Sequence, residues 1–124
     1  MKNMLLVEDD ILIAKAISIR LGSLGYKVSL AHDAQTALKY AETTTPEVII
    51  IDINLPGADG FSIASRLHAM KPSVTTPIIF ITASKIIGLR ERAEKHGAIA
   101  FLEKPFSAAQ LTEAIELSYY PKTA

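Results

Sequence analysis

The sequence predicts an α/β protein in which five strands, each followed by a helix, form one parallel sheet with helices on both faces. Two observations carry this prediction. Apolar runs of strand length alternate five times with segments of helical periodicity, and such alternation builds a parallel sheet through right-handed crossovers. The runs Val48-Ile49-Ile50-Ile51 and Pro77-Ile78-Ile79-Phe80-Ile81 are also almost continuously apolar. Strands buried on both faces read this way, whereas half-covered strands alternate. The 124 residues, 49% hydrophobic and 21% charged, fit one domain with one core. We place that domain at residues 1–120 and read 121–124 as a tail or the start of a linker.

Met4-Leu5-Leu6-Val7 is the first strand and ends in Glu8-Asp9-Asp10. The next segment has apolar residues at Ile11, Leu12, Ala14, Ile17, Leu21 and Leu24, a helical spacing. Asp10 is placed to cap this helix, and Gly22 and Gly25 mark its end. Tyr26-Lys27-Val28-Ser29-Leu30 alternates apolar with polar, as a strand near a sheet edge does. Asp33 opens a second helix, which Thr43-Thr44-Thr45-Pro46 breaks. Val48 to Ile51 is the third strand; Asp52 follows at once, and Pro56-Gly57 and Asp59-Gly60 punctuate a loop. A third helix is expected from Phe61 to Met70, stopped by Lys71-Pro72. Pro77 to Ile81 is the fourth strand, closing in Thr82-Ala83, and a proline suits the first residue of a strand. Ser84 to Gly88 has no clear pattern; Leu89 to His96 reads as a short helix with Gly97 as its stop. Ile99-Ala100-Phe101-Leu102 is the fifth strand, followed by Glu103-Lys104-Pro105-Phe106. Ser107 caps a last helix that turns Leu111, Ala114 and Ile115 inward, with Leu117 or Tyr119 as further candidates, and Pro121 ends it.

Composition excludes several function classes. Thirteen basic residues balance thirteen acidic ones, so no overall charge draws the chain to nucleic acid or an anionic membrane. There is no basic patch and no helix-turn-helix outside the α/β pattern, so direct nucleic-acid binding is not expected. No cysteine is present, which rules out disulfides, thiolate metal sites and cysteine nucleophiles. His32, His68 and His96 lie far apart and show no metal-ligand spacing. No apolar run approaches the roughly 20 residues of a membrane span, and no signal peptide is evident, so a cytoplasmic location is expected.

Because all strands of this reading run the same way, their ends share one edge of the sheet. Glu8-Asp9, Asp52, Thr82 and Lys104 stand at the ends of strands one, three, four and five. In open α/β sheets ligands bind at that edge. Three carboxylates there repel by roughly 4 kcal/mol per pair at about 4 Å and an effective dielectric near 20. Such a cluster calls for a cation, and hard oxygen ligands without histidine or cysteine suit Mg²⁺. Asp52 has the chemistry of a nucleophile that forms an acyl phosphate, while Mg²⁺, Lys104 and Thr82 can hold the three equatorial phosphoryl oxygens. Taken singly, each of these residues is a cap, a surface acid or a salt-bridge lysine. Their coincidence at four strand ends favours phosphoryl chemistry.

Here the sequence resembles the response-regulator receiver domains of two-component signalling. The matching pieces are Leu5-Leu6-Val7-Glu8-Asp9-Asp10, Ile51 to Gly60, Ile79-Phe80-Ile81-Thr82-Ala83 and Gly97 to Phe106, which span nearly the whole chain. The Asp-x-x-Leu-Pro-Gly-x-Asp-Gly segment is the most specific. The resemblance implies a flavodoxin-like, doubly wound (βα)5 fold with strand order 2-1-3-4-5. It implies Asp52 as phosphoacceptor, with Glu8, Asp9, Asp52 and the backbone carbonyl of Asn54 around Mg²⁺. It implies Thr82 as a switch hydroxyl, Phe101 as an aromatic that turns inward with it, and Lys104 as a contact to the phosphoryl group, in a cis Lys104-Pro105 peptide. The implied donor is a sensor histidine kinase or a histidine phosphotransfer protein. The output is an output partner protein or a C-terminal effector domain, with a homodimer as a further option. Helix four, strand five and helix five are expected to form the output face, where Ile86, Ile87 and Leu89 make an apolar group that either marks a contact site or packs inward. Asn54 and Ser84 lie near the expected path of an attacking water. Met1, just before the first strand, favours an N-terminal placement of the domain, whether alone or in a longer protein.

Three other readings remain. A metal-dependent phosphohydrolase would need a general acid two residues beyond Asp52, where Asn54 stands, and a cap domain. A flavodoxin-like mononucleotide binder would need a phosphate-cradling loop after strand one, where Glu8-Asp9-Asp10 would repel phosphate. An interaction module with a dead site ranks low, because every position needed for phosphorylation is filled.

Overall fold

The computed structural model describes residues 2–70 and 75–119. Its sheet contains β1 (Lys2–Val7), β2 (Tyr26–Ala31), β3 (Val48–Asp52), β4 (Ile78–Thr82) and β5 (Ala100–Glu103). All neighbours pair in parallel, in the order β2-β1-β3-β4-β5. This is the flavodoxin-like layout the sequence predicted. The helices are α1 (Ile11–Ser23), α2 (Ala34–Thr44), α3 (Gly60–His68), α4 (Leu89–Lys95) and α5 (Ala108–Tyr119). A two-residue ladder, Asn54–Leu55 against Ala58–Asp59, folds the loop between β3 and α3.

The alternation of each strand divides the core in two. Leu5, Val7, Ile49, Ile51, Ile78 and Phe80 pack with α2, α3 and α4 through Ala37, Ala41, Ile63, Ala64, Leu67 and Ala93. Met4, Leu6, Val48, Ile50, Ile79 and Ile81 pack with α1 and α5 through Ala14, Ile17, Leu21, Leu111, Ala114 and Ile115. Both faces of β3 and β4 are covered, which explains their unbroken apolar runs.

Side-chain caps start four of the five helices among the described residues. Asp10, Asp33 and Asp59 accept from backbone N–H groups of the first turns of α1, α2 and α3. Ser107 and Gln110 form a reciprocal capping box at α5, with Ser107 Oγ accepting from Gln110 N at 3.0 Å and Gln110 Oε1 accepting from Ser107 N at 2.8 Å. α4 starts instead at Gly88, whose φ of 96° only glycine adopts without strain.

Several boundaries and faces differ from the sequence reading. β1 starts at Lys2, and β3, β4 and β5 run on to Asp52, Thr82 and Glu103, because backbone pairing does not stop where side chains become polar. α3 begins one residue earlier than expected and ends at His68. The proposed stops Lys71-Pro72 and Pro121, and the tail 121–124, lie outside the described residues. On α1, Ile11 and Leu12 are exposed at 72% and 80%. Leu12 lies about 200° around the helix from Ala14, so the one face that meets the sheet cannot include both. No described helix is long and apolar enough to cross a membrane.

Gly60 opens α3 against the end of β3. A Cβ there would stand 2.6 Å from the Asp52 carbonyl oxygen and 2.6 Å from Ile53 Cα, both backbone atoms that cannot swing aside. Gly22, within α1, has open space around it. Urea unfolding should therefore separate the two: Gly60→Ala is expected to lose about 1–3 kcal/mol through forced overpacking, and Gly22→Ala to gain about 0.5–1 kcal/mol through reduced backbone entropy. Equal effects at the two positions would contradict this packing.

Candidate functional site

The parallel register brings the strand ends level. Val7 pairs with Ile51, Asp52 with Ile81, and Thr82 with Glu103. Glu8, Asp52 and Thr82 are buried at this edge, while Asp9 is half-buried. One carboxylate oxygen from each of Glu8, Asp9 and Asp52 lies within 4.8 Å of the others. Asp10, next in line, turns away to cap α1. Lys104 reaches in from the far side of the sheet, its Nζ donating to Glu8 Oε1 at 2.6 Å and to Asp52 Oδ2 at 2.8 Å. The Lys104-Pro105 peptide is cis.

One ammonium cannot neutralise three carboxylates. Burial pushes the Glu8 carboxyl up to about 7, Lys104 opposes that rise, and neighbouring Asp52 adds to it. For Lys104, burial alone would favour the neutral amine, but the hydrogen bonds it donates to Asp52 and Glu8, with their negative charge, overcome this and hold its pKa above the usual range. The remaining negative charge, the all-oxygen donor set and the half-buried Asp9 suit a hard divalent cation.

Asp52 Oδ1 accepts from the backbone N–H of Asn54 at 2.8 Å. Thr82 Oγ1 donates to Asn54 Oδ1 at 2.5 Å and accepts from Ser84 N at 3.0 Å. Phe101 is half-buried against the α2–α4 side of the core, and the Arg90 guanidinium lies 4.9 Å from its ring centroid. Ile86 and Ile87 are exposed at 69% and 97%, whereas Leu89 packs on the core. The apolar group expected in this segment is thus split between solvent and interior.

Two features were not read from the sequence. Gly60 is required by its approach to the Asp52 backbone, and a glycine beginning a helix was the available signal. Asp59, read as loop structure, caps α3 and also pairs with Arg92 of α4 at 3.1 Å. Its sequence signal would have been an acid followed by glycine and an apolar helical run.

The model of the response regulator receiver domain family matches residues 4–116. The chain belongs to the response-regulator receiver family. Among relatives of this receiver, the transcriptional regulatory protein PdtaR of Mycobacterium tuberculosis is 37% identical over 118 residues, covering 94% of this chain and 56% of that protein. PhoP of Bacillus subtilis, the alkaline phosphatase synthesis transcriptional regulatory protein, is 32% identical, covering 93% of this chain and 47% of its own length. The chain thus spans about half the length of these relatives. Among solved structures, the chemotaxis protein CheY4 of Vibrio cholerae superposes with a TM-score of 0.87 at 30% identity, covering 94% of this chain and 97% of that one. The receiver domain of the sensor histidine kinase PA1611 of Pseudomonas aeruginosa gives 0.83 at 35% identity, covering 93% and 94%, and holds a magnesium ion in its active-site cleft. Receiver domains are signalling phosphoacceptors rather than enzymes with a separate substrate. Membership therefore goes against the phosphohydrolase and mononucleotide-binder readings.

The elevated Glu8 has a consequence for stability. A carboxyl whose folded pKa is raised stabilises the fold below its unfolded value and loses that contribution as pH rises through the folded value. For Glu8 the window runs from 4.5 to about 7. Metal-free protein should lose stability across it, by on the order of 3 kcal/mol relative to Glu8→Gln. Urea unfolding of both proteins between these pH values measures this, and parallel curves would contradict it.

Proposed function

We propose that this receiver takes a phosphoryl group from a sensor histidine kinase or histidine phosphotransfer protein onto Asp52, with Mg²⁺. The observation that carries this reading is the position of the Asp52 carboxylate, 2.8 Å from the Lys104 ammonium and clustered with Glu8 and Asp9. An Asp52 oxygen attacks phosphorus, the new O–P bond forms as the N–P bond of the donor breaks, and the donor imidazole leaves with the electron pair. Glu8, Asp9, Asp52 and the Asn54 backbone carbonyl would hold Mg²⁺, which when bound offsets charge on the phosphoryl oxygens. Lys104, already charged at Asp52, turns to the arriving oxygens. Thr82 supplies a hydroxyl donor from the end of the neighbouring strand.

The phosphoryl group adds roughly two negative charges beside Thr82 and Lys104. As Thr82 moves toward them, Phe101 turns into the vacated space and the α4–β5–α5 face repacks. Arg90, stacked on Phe101, and exposed Ile86 and Ile87 lie where that change reaches solvent. This face would meet the output partner, whether an effector domain of the kind that makes the relatives transcriptional regulators, a separate protein or a second copy, in the cytoplasm.

Incubation with acetyl phosphate and Mg²⁺ should add one phosphate mass, and the gain should vanish in Asp52→Asn or with a chelator. Absence of any gain, from acetyl phosphate and from a phosphohistidine donor alike, would sink the reading. Hydrogen exchange of the phosphorylated protein should then change chiefly across residues 84–119, which hold α4, β5 and α5. Changes limited to the loop beside Asp52 would remove the α4–β5–α5 face from the proposal.

A further inference from the structure

Asn54 touches both ends of the proposed switch. Its backbone N–H donates to Asp52 Oδ1 at 2.8 Å, and its side-chain Oδ1 accepts the Thr82 hydroxyl proton at 2.5 Å. Thr82 has a single proton to give. Asn54 Oδ1 is a carbonyl oxygen with no proton of its own, so the bond between them is the one Thr82 donates, while the Thr82 oxygen accepts from Ser84 N. Thr82 is wholly buried, and no water competes for that proton at its surface. A hydroxyl so engaged cannot also donate to a phosphoryl oxygen on Asp52.

We propose that the side-chain carbonyl of Asn54 is a latch on the switch hydroxyl: it holds the Thr82 proton in the unphosphorylated protein and competes for it with the phosphoryl group. This rests on Asp52 being the phosphoacceptor, and it adds a role for Asn54 separate from that of its backbone carbonyl. Asn54 is a positioning residue, acting through Thr82. The side chain stands in an exposed loop, so it can swing away once the proton is withdrawn. The resting state therefore owes part of its population to a residue outside the sheet.

Two substitutions separate the acceptor from the shape. Asn54→Leu keeps the size and removes the carbonyl; Asn54→Asp keeps an acceptor oxygen. In metal-free, unphosphorylated protein, three-bond couplings to the Thr82 methyl carbon read its rotamer. A single rotamer is expected in the wild type and Asn54→Asp, and averaging among rotamers in Asn54→Leu. An unchanged single rotamer in Asn54→Leu would overturn the latch. With Mg²⁺, beryllofluoride serves as a phosphoryl mimic. Asn54→Leu should bind it roughly 3- to 10-fold more tightly, the worth of one competing hydrogen bond. The same substitution made in Thr82→Ala should have no effect. An equal change in both backgrounds would overturn the proposal, because Asn54 would then act on the phosphoryl group directly. Failure of the wild type to bind beryllofluoride would count against the phosphoacceptor reading, and the rotamer measurement would still decide whether Asn54 holds Thr82.

Discussion

The bridge from the Lys104 ammonium to Glu8 and Asp52 is the interaction on which the rest of the site depends. It joins residues 96 and 52 positions apart in the chain, at the ends of three different strands. Without it, two buried carboxylates would face each other with no counter-charge at a site closed to water on the sheet side. The bridge can form only if β1, β3 and β5 end level. The parallel register provides that, and the packing of two helical layers holds the register in place. The chemistry of the site and the architecture of the sheet are therefore one constraint.

That bridge also leaves the site incomplete. Lys104 offsets part of the negative charge, yet burial, with neighbouring Asp52 adding to it, still raises the carboxyl of Glu8. A structural ion pair would be closed on both sides. Here Asp9 stays half-open to solvent, and the Asp52 oxygens are shared between Lys104 on one side and the Asn54 N–H on the other. Every partner of Asp52 is a donor that an added anionic group could take over. This is why the geometry reads as a place for an exchange of ligands rather than as a staple of the fold.

Much of this was legible because parallel strands convert sequence position into spatial position. Glu8, Asp52, Thr82 and Lys104 each follow or end an apolar run, so reading where the runs stop locates all four. The caps were legible for a similar reason: Asp10, Asp33 and Ser107 precede helical spacing. What was not legible depends on torsions or approach distances. The Asn54 side chain had no pattern to announce its acceptor role, since that depends on how the loop folds back over Thr82. Gly60 looked like a turn residue until its distance to the Asp52 backbone was known. The apolar residues of α1 and of the 86–89 segment exceeded what the core could accept, and composition alone cannot say which of them stay outside.

The pleat of β4 has a further meaning. Phe80 and Thr82, two residues apart, point to the same side of the sheet, and Phe101, paired with Phe80, joins them there. Ile79 and Ile81 point to the other side, toward α1 and α5. Any movement of Thr82 is consequently felt by one half of the molecule and hidden from the other. A one-residue slip in β4 would leave the hydroxyl at the same edge and the same chemistry nearby, yet it would turn that side chain toward α1 and α5. Under the proposed switch, which half of the molecule hears the site is a matter of odd and even.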